Sequence, residues 1–234
     1  MTEEDFLSGQ VLLIDKPMGW SSFQAVNKLK WAIRKKFGLK KFKIGHAGTL
    51  DPLATGLLII CTGKFTKKID EYQGQEKEYT GCITLGTTTP SYDLETEIDA
   101  SFATDHITPT LIRDTTRQFL GEIAQAPPIF SALKKDGKRL YELAREGKSV
   151  EIAKRIVNVS TFEITRIDNL DVHFRIVCSK GTYIRSIAHD FGKALESGAH
   201  LSALRRTKIG SFNVDKAQDP LVFSNTLLGI AAKE

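Results

Sequence analysis

Cysteine, histidine and long apolar runs are all scarce in this chain of 234 residues. The three cysteines, Cys61, Cys82 and Cys178, are odd in number, far apart and without a CxxC pair. That excludes a disulfide framework and a thiolate zinc site, and it fits a reducing cytoplasm. The five histidines form no HxxxH, so a catalytic metal is not expected. No apolar run approaches the roughly 20 residues that a membrane helix needs. The N-terminus, MTEEDFLSGQ, is acidic and leads into no apolar stretch, so it does not read as a secretory signal. There is no G-x-S-x-G nucleophile elbow, and no glycine loop ends in GK[ST] as a phosphate-cradling loop would. Repeats, low-complexity tracts and linkers are absent as well, which points to a single domain.

What is present is ordinary in amount and uneven in placement. A hydrophobic fraction of 41% against 26% charged residues is enough for a packed core. The net charge is +5 and the isoelectric point about 9.0, a mild bias toward anionic partners. Lys30, Arg34, Lys35, Lys36, Lys40, Lys41 and Lys43 follow one another without an intervening acid. A second run holds Lys134, Lys135, Lys138, Arg139, Arg145, Lys148, Lys154 and Arg155, with some acids between them. Each run alone reads as a solvated helix face, and the two together read equally well as a polyanion groove.

Gln10–Asp15 reads as a strand ending in the Pro17–Gly19 turn. Ser21 or Ser22 caps a helix to about Lys36, with Phe23, Val26, Leu29 and Ile33 at helical spacing. Gly45–Gly56 (GHAGTLDPLATG) reads as a structured loop, Leu57–Cys61 as a short apolar strand and Tyr79–Leu85 as another. Thr87 to Asp105 is polar and turn-rich. Thr108 caps a helix that opens with Pro109 and runs to about Leu120. Ala126–Ile129 (APPI) cannot be helical, and a short helix is expected from Arg139 to Glu146, ended by Gly147. Val157–Ile167 and Leu170–Cys178 form a hairpin around Asp168–Asn169. A helix spans Tyr183 to Leu195, stopped by Gly198, and a last strand spans Lys208–Val214. This irregular alternation, with a late hairpin, predicts an α+β fold.

The chemistry concentrates in two places. In Gly45–Gly56, Pro52 keeps Asp51 out of the helical region, so its carboxylate sits on a stiff, non-helical backbone. That suits a nucleophile fixed before substrate arrives, and it equally suits a plain Asp-Pro turn. His46, five residues earlier, can form an acid–base couple or simply serve as a structural hydrogen-bonder. In Ser179–Arg185 (SKGTYIR), Arg185 stands where a strand turns into a helix, either paired with a buried carboxylate or in solvent. Arg205 and Arg206 read as ordinary surface.

Taken together, seven ordered segments resemble the TruB family of bacterial tRNA pseudouridine-55 synthases. They are GQVLLIDKPMGWSS (Gly9–Ser22), GHAGTLDPLATGLL (Gly45–Leu58), CTGKFTK (Cys61–Lys67), KEYTGCITLG (Lys77–Gly86), PPIFSALKKDGKRLYELAREG (Pro127–Gly147), CSKGTYIRSIAHDFG (Cys178–Gly192) and GAHLSALRRTKIG (Gly198–Gly210). The resemblance implies a pseudouridine-synthase fold: a mixed, mostly antiparallel sheet flanked by helices, an active-site cleft, and an RNA-gripping thumb inserted at about 127–154. It implies a cofactor-free isomerase, without metal, that acts on the T-stem-loop of tRNA with no obligatory protein partner and as a monomer. Asp51 matches the nucleophile, Tyr79 the tyrosine that stacks on the target base, and Arg185 the arginine that pairs with the aspartate. His46 matches the histidine that helps extrude the base, and Tyr183 and Leu204 match residues lining the pocket. Lys16 and Pro17 match positions whose role looks structural. Lys67, Lys134, Arg139, Arg205 and Arg206 are expected on the RNA backbone.

The chain departs from the family pattern in three places. The basic stretch Trp31–Lys43 is longer, read either as an extended helix end or as extra RNA contact. Pro90 stands where the family often has an acid. The sequence ends at Glu234, so the small RNA-binding PUA domain of many members is expected to be missing. Two rival functions follow from the same residues: a uridine isomerase guided to another RNA, and a non-catalytic RNA chaperone.

Overall fold

The computed structural model describes residues 1–131, 133–135, 138–140, 142 and 152–230. The chain divides into two compact units, Met1–Tyr79 with Arg205–Glu234, and Thr80–Leu204. It is an α+β fold whose strands pair mostly antiparallel, as expected.

The first unit is built around β3 (Thr55–Thr62), whose sequence TGLLIICT is apolar almost throughout and buried on both faces. β1 (Val11–Lys16) pairs antiparallel along one edge, from Val11 opposite Cys61 to Lys16 opposite Gly56. The other edge is shared by β2 (Ile44–Ala47), antiparallel, and by Arg205 and Arg206 of β12 (Ala199–Ile209), parallel to Thr55 and Gly56. Because strand side chains alternate, Leu58 and Ile60 join one core cluster while Leu57, Ile59 and Cys61 join another. α1 (Glu3–Ser8) supplies Phe6 to the first cluster, and α2 (Ser22–Phe37) covers it with Ala25, Val26, Leu29 and Ile33. α3 (Ile69–Gly74) brings Tyr72 to the second.

Of the two serines expected to cap α2, Ser21 does so, and it forms a capping box with Gln24. Phe23 does not share the buried face, however, being 67% exposed. The face is phased from Ser22 through Ala25, Val26, Leu29, Ala32 and Ile33, which leaves Phe23 about 100° away from it.

In the second unit β7 (Gly121–Gln125), β10 (Arg155–Asp168) and β11 (Asp171–Cys178) form an antiparallel run, β10 pairing with both. Asn169 makes the hairpin turn with a left-handed φ of 52°. α4 (Pro109–Thr115) is capped by Thr108 and continues as a 3-10 turn to Phe119. α5 (Ile184–Ala194) seats Phe191 against Phe119 and Phe162, with Phe162 edge-on to Phe174.

Several expected boundaries move. The Gly45–Gly56 segment is not wholly loop, because β2 takes it as far as Ala47 and β3 begins at Thr55. The last strand starts at Ala199, not Lys208, and turns at Gly210 into β13 (Phe212–Asn213). α5 ends at Ala194, and Glu196 adopts φ 52° before Gly198 is reached. α1, α3, β7 and α6 (Pro220–Leu228) had not been anticipated. Arg139, the expected start of a helix, lies in β9 (Lys138–Arg139), paired with β8 (Lys134–Lys135). Leu140 and Glu142 are helical as expected, and the rest of that helix lies outside the described residues, as do residues 143–151 of the expected thumb.

Candidate active site

In the first unit the loop between β2 and β3 carries Asp51 and is fastened by three buried side chains. Ser22, at the start of α2 and 2% exposed, accepts from the Leu50 N–H at 2.8 Å and donates to the Leu50 carbonyl at 3.2 Å. Both peptide groups preceding and following Leu50's Cα are thereby satisfied by one hydroxyl. Lys16, fully buried at the end of β1, donates its ammonium to the carbonyls of Trp20 (2.6 Å), Pro17 (2.9 Å) and Pro52 (3.3 Å). Arg206, 1% exposed on β12, donates Nε to Leu57 O (2.8 Å), Nη2 to Gly48 O (3.0 Å) and Nη1 to Thr49 O (3.5 Å). The Gly19 N–H adds a bond to Pro52 O at 2.9 Å, and Ala54 N–H closes a turn on Asp51 O at 3.1 Å.

The backbone on either side of Asp51 is therefore fixed from residue 48 to residue 57, while Asp51 itself remains half-buried rather than enclosed. Gly56 completes the clamp. Its φ is +103°, and a Cβ there would meet the Arg206 carbonyl oxygen at 2.3 Å, so only glycine lets β3 and β12 approach this closely.

The charges around this loop are mutually adjusted. Burial pushes the Lys16 ammonium down to about 8, with the Asp51 carboxylate opposing the shift and the Arg206 guanidinium adding to it. His46 is half-buried on β2. Burial lowers its imidazole below the usual value, Arg206 adds to that, and the Gly48 backbone opposes it more weakly. Its Nδ1 is buried without a hydrogen-bond partner among the described residues.

Lys16 has a measurable consequence. The unfolded chain binds the Lys16 proton up to its ordinary value of 10.5, and the folded chain releases it near 8. Between those values the unfolded state holds more protons, so stability rises with pH. The Tm of the protein relative to its Lys16→Met variant is expected to increase from pH 8 to pH 10.5 and to be flat below pH 7. A difference that is constant across that window would refute the buried ammonium.

In the second unit the start of α5 is equally well determined. Gln125, 3% exposed at the end of β7, grips the Tyr183 peptide with both ends of its amide, donating to Tyr183 O at 3.0 Å and accepting from Tyr183 N at 2.8 Å. Ser186 Oγ donates to Ala126 O at 2.8 Å. Arg185, 3% exposed, donates to Ser91 O (3.1 Å) and Phe130 O (2.9 Å), and its Nε lies 3.5 Å from Asp93 Oδ2.

Asp93 is in turn set by Thr89 and Ser91, whose hydroxyls both donate to its carbonyl, and by the Glu95 N–H on Oδ1. Between them Tyr92 takes a left-handed φ of 64° and stacks on His189 at 3.8 Å and 11°. Burial pushes the His189 imidazole down to about 4, aided by Lys193, so the ring stacks in its neutral form at neutral pH. Pro90, whose replacement of an acid stands out in the sequence, lies within this arrangement of Thr89, Ser91 and Asp93.

The first unit thus brings Asp51, His46, Lys16 and Arg206 together, and Tyr79, the last residue of its N-terminal segment, is buried in β4 (Lys77–Leu85). The second holds Tyr183 and Arg185 side by side, with Leu204 half-buried at its last position. Lys67 is exposed, as a backbone-contacting cation must be. Arg205 makes a bidentate pair with Asp15, at 2.7 and 3.0 Å, and keeps its side chain 40% exposed.

Arg206 is a correction. It was expected on the RNA backbone, and its guanidinium is instead consumed by three carbonyls inside the protein. The solvent-exposed reading of Arg185 is overturned by its burial. Ser22, Gln125 and Asp93 went unassigned, since each acts through partners too distant in sequence for any local pattern to reveal.

The fold recurs in solved structures. The structure described as "Crystal Structure of a Cbf5-Nop10-Gar1 Complex" superposes with a TM-score of 0.68 at 31% identity over 93% of this chain and 54% of that one. An archaeal box H/ACA Nop10-Cbf5 complex gives 0.66 at 28% over 95% and 56%. This chain therefore spans about half the length of either solved chain.

The model of the N-terminal domain of the TruB family pseudouridylate synthases matches residues 34–184, and that of the tRNA pseudouridylate synthase B C-terminal domain matches 185–226. The tRNA pseudouridine synthase B of Flavobacterium johnsoniae is 67% identical over 97% of this chain and 100% of that protein. The Parabacteroides distasonis protein of the same name is 51% identical over 92% of each. The chain belongs to the TruB family of pseudouridylate synthases.

Proposed function

We propose that the protein isomerises uridine-55 in the T-loop of tRNA to pseudouridine, with Asp51 as the nucleophile on a flipped-out base. The bond between N1 and the sugar breaks, one from C5 to the same sugar carbon forms, C5 loses its proton and N1 gains one. Atoms balance without an oxidant or reductant. A stacked loop base is out of reach, so it must be everted onto an aromatic face.

In this reading Asp51, Tyr79 and Arg185 are the catalytic residues. Tyr79 receives the base, His46 helps extrude it, and Tyr183 and Leu204 line the pocket. Lys67, Lys134, Arg139 and Arg205 contact the RNA backbone, Lys134 and Arg139 from the β8–β9 pair within the expected thumb. The protein acts as a monomeric single domain in the cytoplasm. Among the described residues no helix is long and apolar enough to cross a membrane.

The observation that carries this reading is the fastening of the Asp51 loop by Ser22, Lys16 and Arg206. A binding module has no use for a carboxylate held that firmly, whereas a nucleophile gains rate from it. The test is to incubate the protein alone with an unmodified tRNA transcript and map new pseudouridine. Product at the T-loop site is expected. Product elsewhere would favour a different RNA target, and tight binding without product would favour a chaperone.

A further inference from the structure

The densest positive charge in the chain plays no part in the loop that presents Asp51. On α2, Asn27, Lys30, Trp31, Arg34 and Lys35 recur at three- and four-residue spacing and, with Leu39, line an open groove of about 380 Å³. Trp31 is 48% exposed, an unusual place for so large an apolar side chain. Lys28 and Lys35 place their ammonium groups 5.1 and 4.9 Å from the centroid of its ring. The ring acts as a post that orders two cations which would otherwise sample many rotamers, so an anion meeting them costs less entropy to bind.

Arg34 is committed elsewhere, donating Nε to Leu39 O at 2.9 Å where Gly38 ends the helix. Beyond it Lys40, Lys41 and Lys43 are exposed and continue the charge without an acid.

The spacing of these cations decides among anions. A single phosphate needs donors that converge, and those of α2 are strung from Lys28 to Lys35 over about 10 Å of helix, from the rise of 1.5 Å per residue. Repeating charge of that kind fits the backbone of a polynucleotide. The origin of α2 is fixed as well, since Ser22 in its first turn holds Leu50 beside Asp51. Trp31 and Lys35 then lie about 14 and 20 Å further along the helix axis. An RNA whose target base occupies the Asp51 loop would meet this groove with another of its parts.

We propose that the Trp31 groove of α2 is a second RNA-docking surface, which holds the phosphate backbone of the substrate tRNA outside its T-stem-loop. The inference rests on the tRNA reading above.

The test uses the full chain with two changes, Lys28→Glu/Lys30→Glu/Lys35→Glu and, separately, Trp31→Leu, each assayed on a whole tRNA transcript and on an isolated T-stem-loop RNA. With whole tRNA the triple variant is expected to raise KM roughly tenfold, to leave kcat unchanged, and to lower the log–log salt slope of binding by about 2 to 3. Trp31→Leu keeps the charges, so it should raise KM less and leave the salt slope as it was. On the stem-loop both variants should match the unaltered protein. Unchanged binding of whole tRNA, or equal weakening on both RNAs, overturns the proposal. If the unaltered protein forms no pseudouridine on either RNA, the isomerase reading fails, and the salt slopes still decide the docking surface.

Discussion

Replacing Asp51 by asparagine is expected to lower turnover on tRNA by on the order of 10⁴-fold or more while leaving the dissociation constant for tRNA within about threefold. Asparagine keeps the shape and the hydrogen-bonding reach of the carboxylate but offers no anion to form a bond. RNA affinity, by contrast, is carried by cations spread over the protein, and removing one acid from the pocket leaves them in place. The loop supplies a graded control. Asp51→Glu retains the charge and moves it by one methylene, and a displacement of about 1 Å costs on the order of 10²-fold where the backbone cannot follow. Ser22, Lys16 and Arg206 fix that backbone on both sides of the residue. Single-turnover rates and filter-binding constants on one transcript separate the two quantities. A loss of binding parallel to the loss of rate would make Asp51 a structural residue.

The second large effect belongs to Arg206. Arg206→Met keeps the apolar stem but removes the donors to Leu57, Gly48 and Thr49, leaving their carbonyls in a buried site with no replacement. Stripping one side of a buried charged network costs about 3–5 kcal/mol. For a chain of this size 1 kcal/mol moves Tm by roughly 2–4 °C, so a fall of roughly 10 °C or more is expected in a thermal melt. Arg206→Lys is expected to recover little, because a single ammonium cannot span Gly48 and Leu57 as the guanidinium fork does. In the fraction that stays folded, kcat should suffer more than KM, since a slack loop misplaces the nucleophile without touching the cations that hold RNA. A Tm unchanged in both variants would show that the loop is fastened by other means.

Local features were legible in the sequence where the cause was local. The Ser21–Ser22 pair announced the start of α2, Thr108 with Pro109 that of α4, and Asp168–Asn169 the turn between β10 and β11, because each signal and its effect lie within a few residues. The α+β class followed from the irregular mixture of strand and helix patterns. Asp51 stood out because Pro52 constrains it, and ordered motifs gave it a role.

What stayed hidden depends on contacts across long stretches of chain. Lys16 and Arg206 carry charge, and charge in sequence reads as surface; their burial follows from carbonyls that only the folded loop collects in one place. Gln125 reaches a peptide 58 residues away. The fastening hydroxyl of Ser22 sits 28 residues from Leu50 and looks like a second capping residue beside Ser21. β7 and α6 lack the alternation or amphipathic contrast that would have marked them, β7 being largely exposed and α6 apolar around most of its girth.

Release of hydrogen from C5 of uridine tests the central claim most directly, because forming a carbon link to the sugar expels that atom and no binding event does. With a tRNA transcript carrying tritium at C5 of its uridines, the protein is predicted to release one tritium per tRNA, and none when uridine-55 is replaced by cytidine. Release that persists in the cytidine transcript, or no release from either, would contradict the account.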